Sequence, residues 1–88
     1  GDYFSSAQYL FQSNIDVTTA LLYVNKALEM KEEKPFWYLR LKSLIQFKTG
    51  DKKGAIETAK QSFRGAEIAK NQDYIKMNQE SIAQWSKK

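Results

Sequence analysis

Apolar residues return along this chain at steps of three and four, the spacing of helices with one buried side. Val17, Ala20, Leu21, Val24, Ala27 and Leu28 form the clearest stripe and predict a helix over about 17–31. Leu22, Tyr23 and Met30 lie off that stripe, so this helix is expected to be apolar on two sides and sandwiched between neighbours. Before it, Tyr3, Phe4, Ala7, Leu10 and Phe11 share one broad face of a helix over 2–12. After it, residues 36–48 are apolar nearly all round through Phe36, Trp37, Tyr38, Leu39, Leu41, Leu44, Ile45 and Phe47, the pattern of a central helix. A fourth helix over 52–70 carries Ala55, Ile56, Ala59, Ser62, Phe63 and Ala66. Most of these are small, so another backbone is expected to come close, and Gly65 in mid-helix, costing about 1 kcal/mol against alanine, implies a packing reason. A fifth helix over 74–87 puts Tyr74, Ile75, Met77, Ile82 and Trp85 on one side and reads as a terminal cap.

The punctuation agrees with that division. Asp2, Asp16, Asp51 and Asp73 stand at four of the expected starts, where a carboxylate accepts from free first-turn amides and meets the positive helix end. Pro35 suits a first-turn position at the fifth. Gly50, Asn71 and Asn14 are placed to take the left-handed conformation that ends a helix. The expected core is Trp37, Tyr38, Leu41 and Ile45 together with the stripe of the second helix. No linker-like or low-complexity tract interrupts the pattern, so residues 1–88 read as one all-α domain. Gly1 is an odd natural start and reads as a remnant in front of a domain excised from a longer protein.

Composition narrows the chemistry. The chain has no histidine and no cysteine, so the commonest general base, the thiolate nucleophile and the usual zinc ligands are missing. No serine has a histidine to activate it. Glu29, Glu32 and Glu33 gather at a helix end where solvent keeps carboxylates ordinary. Gly50 to Gly54, with Lys52 and Lys53, lacks the spacing of a phosphate loop and reads as a turn and cap. The chain is therefore expected to be no enzyme and to need no cofactor or metal. No run approaches the roughly 18 apolar residues of a membrane span. The formal charge of +4 is uneven: residues 1–34 carry five acids and three bases, the remainder eleven bases and five acids. Bases and acids alternate in the second part, the pattern of a solvated face. The lysines do not track the aromatic faces, so nucleic acid is not the expected partner.

Offset by thirty-five residues the chain repeats itself, pairing Asp16 with Asp51, Ala20 with Ala55, Leu21 with Ile56, Ala27 with Ser62 and Leu28 with Phe63. With Ser43, Gly50, Asp51, Ala55 and Ser62 in one unit, and Ala7, Asn14, Asp16, Ala20 and Ala27 in the other, residues 2–70 resemble the tetratricopeptide repeat, a helical hairpin of about 34 residues. The units are divergent: Lys42, Gln46 and Ala59 stand at positions the family fills otherwise, and no proline follows the fourth helix. The resemblance implies two hairpins and a capping fifth helix in a right-handed stack, with the first helix of each hairpin lining a concave face. Phe4, Gln8, Phe11, Arg40, Leu44, Phe47 and Lys48 fall on or near that face, where rings would anchor a peptide and the guanidinium would meet a carboxylate. The alternative is that these aromatics are core in a thin domain. Some members clamp a C-terminal carboxylate with a basic and an amide side chain; Arg40 matches the base, but Leu44 stands at the amide. The whole chain is also similar to the helical C-terminal tail of an uncharacterised bacterial family, through Ser6-Ala7-Gln8-Tyr9, Asn25-Lys26-Ala27, the segment from Gly50 to Ile56, and Trp85-Ser86-Lys87-Lys88. That likeness implies an upstream β-rich domain and an extracytoplasmic location. The expected role is protein or peptide contact, or buttressing of a neighbouring domain of the same chain. The alternative role is that of accessory domain to an extracytoplasmic enzyme, and self-association follows if an apolar end face is left open.

Overall fold

The computed structural model describes residues 2–87; the reading of Gly1 as a remnant, and Lys88 of the closing segment, fall outside them. Five helices follow in order: α1 (Tyr3–Gln12), α2 (Val17–Glu29), α3 (Phe36–Lys48), α4 (Lys52–Ala69) and α5 (Gln72–Trp85), with no strand among the described residues. Each helix packs on the next, and α3 also touches α1, which makes α3 the centre of the stack.

One local device ends three of the helices. Asn14 (φ 54°), Gly50 (φ 94°) and Lys70 (φ 58°) are left-handed. In each case the following N–H reaches back to a carbonyl of the closing turn: Ile15 to Leu10 (3.2 Å), Asp51 to Gln46 (2.9 Å) and Asn71 to Ala66 (2.9 Å). This is the bond of a Schellman ending. The next helix then begins at once. Asp16 Oδ1 accepts from Thr19 N at 3.0 Å, Asp51 Oδ1 from Gly54 N at 2.9 Å and Asn71 Oδ1 from Tyr74 N at 3.1 Å. Thr19 Oγ1 also donates to Asp16 Oδ2 at 2.6 Å, and these bonds from Thr19 hold the Asp16 carboxyl below its ordinary ionisation.

Three punctuation marks differ from expectation. The left-handed residue is Lys70 and the cap of α5 is Asn71, in place of Asn71 and Asp73. Capping requires extended backbone, which Asn71 has (φ −92°, ψ 98°), so the reversal falls one residue earlier and Asp73 enters the first turn. Pro35 sits at the cap position of α3 and not in its first turn, offering its carbonyl to the amides of Tyr38 and Leu39, each at 3.1 Å.

Two apolar clusters form the core. Ala7, Ala20, Val24, Leu41 and Ile45 meet where α1, α2 and α3 converge, while Ala55, Ala59 and Trp85 meet between α4 and α5 with Leu44 of α3 against them. Alanine supplies two of the five residues of the first and two of the three of the second, which lets the backbones approach closely. Gly65 has the expected packing reason: a Cβ there would stand 3.0 Å from Phe36 Cβ. Leu41 and Ile45 are buried as expected, but Tyr38 is half-buried and Trp37 is 44% exposed. Both lie in the first turn of α3, and Trp37 looks onto the side between α1 and α5, which are not packed on each other. The expected sandwiching of α2 holds in part: it packs on both α1 and α3 and Tyr23 lies against the first cluster, whereas Leu22 (53%) and Met30 (72%) face outward. The helix ends at Glu29, short of Lys31.

Candidate functional site: a groove on the central helix

Because α1 and α5 flank α3 without closing over it, a groove of about 240 Å³ remains between them. Phe4, Gln8, Phe11 and Gln12 of α1 form one wall, Tyr74 and Met77 of α5 the other, and Trp37, Arg40, Leu41 and Leu44 the floor. Five of the residues singled out from sequence, Phe4, Gln8, Phe11, Arg40 and Leu44, are thus brought together. Phe47 and Lys48 are not in the lining. Phe47 instead stacks on Trp85, with ring centroids 4.7 Å apart and planes 11° from parallel, and Lys48 is exposed.

The walls are held by aromatic packing. Phe4 stacks on Tyr38 at 4.2 Å and 7°, which fixes α1 against the start of α3. Phe36 meets Tyr74 edge-on at 5.0 Å and Trp37 at 5.0 Å, fixing the start of α5 and the indole at the groove's end. Arrangements of this kind contribute about 0.5–1.5 kcal/mol beyond area burial.

Arg40 is the single charged side chain of the lining. Its Nη1 donates to Ser81 Oγ at 2.8 Å and to Met77 O and Asn78 Oδ1 at 3.3 Å each, all on α5. Behind it, Asn78 Nδ2 donates to Ser62 Oγ at 2.9 Å, and Ser62 Oγ donates to Phe36 O at 2.7 Å. A chain of bonds therefore runs from α5 through α4 to α3 and holds Arg40 from behind. Nε and Nη2 make no bond to any described residue. Among the described residues the only buried side-chain nitrogen or oxygen without a partner is Gln46 Oε1, so these two nitrogens are not sealed from solvent. Every partner of the guanidinium is neutral. Burial holds its pKa below the ordinary value, opposed only in part by Tyr74 and Glu80. An anion entering the groove would meet unused donors of a planar fork suited to two parallel bonds with a carboxylate.

The polar network was the part hidden in the sequence. Asn78 and Ser81 are buried, although the inward side of α5 is expected from Ile75, Met77, Ile82 and Trp85. The signal was the spacing Tyr74, Asn78, Ser81, Trp85, a four-three-four run with two small polar members inside it. Among the described residues no three His, Cys, Asp or Glu side chains are gathered to hold a metal ion, and no helix is long and apolar enough to cross a membrane. Comparison with known proteins finds no matching family model, no matching curated protein and no matching solved structure.

Proposed function

We propose that this chain is a non-catalytic module of two tetratricopeptide-like hairpins and a capping helix, and that its groove receives a peptide bearing a carboxylate between apolar side chains. The observation that carries the reading is the half-buried Arg40, whose Nε and Nη2 bond to no described residue, on a floor otherwise made of apolar side chains. A buried cation with only neutral partners gains from an arriving anion, and the flanking Phe4, Phe11 and Trp37 offer apolar anchors beside it. The repeat reading is supported by the burial of every small residue of the pattern, Ala7, Ala20, Ala27, Ser43, Ala55 and Ser62.

The test uses short fluorescein-labelled peptides carrying Phe-Asp-Phe, or Phe-Asn-Phe, in a serine-glycine background. Wild-type protein is expected to favour the aspartate peptide. Gln8→Glu, at an exposed wall position, places a like charge by the incoming carboxylate. It should weaken that peptide by about tenfold while leaving circular dichroism unchanged. Equal binding of both peptides, or none by a folded protein, would refute the groove reading and favour buttressing of a neighbouring domain.

A further inference from the structure

Beyond the end of the groove the apolar surface continues. We propose that a shelf behind Trp37 is a second subsite for the same peptide, taking an apolar side chain about three or four residues from the carboxylate. This rests on the groove reading above.

The shelf encloses about 400 Å³, with Pro35, Phe36 and Trp37 on one side and Gly65, Ile68 and Ala69 on the other. Three observations point to it. Ile68 is 86% exposed, the most exposed of the large apolar side chains, and lies off the buried stripe of α4, so it serves no packing role inside the fold. Gly65, one turn earlier, has no side chain, and α4 consequently lies against Phe36 with its surface open beside Ile68. Trp37 belongs to both places, lining the groove and the shelf alike. A ligand anchored on Arg40 that extends past Trp37 therefore meets the shelf that Ile68 lines.

The reach is consistent. Trp37 precedes Arg40 by one turn, about 4.5 Å along the helix. α4 lies roughly one interhelical spacing, 8–10 Å, beyond α3. Extended chain rises about 3.3 Å per residue, which gives the separation of three or four. The charges at the shelf, Glu33 and Lys34, are opposite and sit together at the loop end, so the subsite favours an uncharged side chain while the charge preference stays at Arg40.

The experiment adds a leucine three or four residues to either side of the aspartate in the Phe-Asp-Phe peptide and measures fluorescence anisotropy. In one direction the leucine should tighten binding about tenfold, the worth of partly burying such a side chain. Ile68→Asp should abolish that gain and leave the leucine-free peptide unchanged, in a protein whose circular dichroism matches wild type. A leucine that gains nothing, or a gain that survives Ile68→Asp, overturns the shelf. The groove reading then stands if the leucine-free peptide still distinguishes wild type from Gln8→Glu. If no peptide binds, both fall. If sedimentation shows that Ile68→Asp turns a self-associating protein into a monomer without altering peptide affinity, the shelf is a contact between copies and the subsite is wrong.

Discussion

Lys70 holds a left-handed backbone at a position where a residue with a Cβ stands at a cost of about 1–2 kcal/mol. It does so because Asn71 is committed to capping α5 and the chain must reverse just before it. Gly50 performs the same reversal before Asp51 without a Cβ, and nothing stands within 4 Å of where one would be. Lys70→Gly is therefore expected to raise stability by about 1 kcal/mol, seen as a higher urea midpoint at unchanged slope. Gly50→Ala should lower the midpoint by a similar amount. An unchanged or lower midpoint in Lys70→Gly would show that the charge or side chain of Lys70 outweighs backbone strain. Arg40 shows the other residue-scale lesson. Nη1 joins α3 to α5 while Nε and Nη2 bond to no described residue, so one side chain both holds the wall and keeps the donors that the proposed peptide would meet.

Among helices, α5 is attached by contacts of unlike kinds besides the edge-on contact of Tyr74 with Phe36. Trp85, 6% exposed, fills the space over Ala55 and Ala59 and stacks on Phe47, whereas Asn78 and Ser81 bond to Arg40 and Ser62. Trp85→Ala should cost about 3–5 kcal/mol, a large share of a typical domain's stability. Hydrogen exchange should show α5 amides losing protection before those of α2 and α3. The uncovered alanines should also promote self-association, read by sedimentation at rising concentration. A stable monomer with protected α5 amides would deny Trp85 this role. Helix number, order and type were legible because the stripes of α2 and α4 repeat at helical steps and turn residues separate them. The fate of Trp37 and of Leu22 was not. Periodicity tells which residues are apolar on a helix, but not which sides find a neighbour: Trp37 falls in the opening between α1 and α5, and Leu22 stays exposed on α2. The polar pins of α5 were hidden for a related reason: Ser43 and Ser62 fit a pattern of small residues, and only the fold shows Ser62 relaying a bond between helices.

Over the whole molecule, the stack extends 31 by 30 by 18 Å, and the groove of about 240 Å³ is a small opening on its central helix. The expectation of a thin domain held without disulfides fits an alanine-rich core in which half-buried aromatics close the walls. Packing and lining fall on the same side chain in one case: Phe4 is packed on Tyr38 and still lines the opening. A titration of ¹⁵N-labelled protein with the Phe-Asp-Phe peptide, followed by NMR, joins these scales. The largest shifts are expected at the Arg40 Nε–H and at the amides of Phe4, Gln8, Leu44 and Met77, with the outer sides of α2 and α4 unmoved. Shifts centred on those outer sides, or a folded spectrum unchanged at millimolar peptide, would contradict a binding groove on α3.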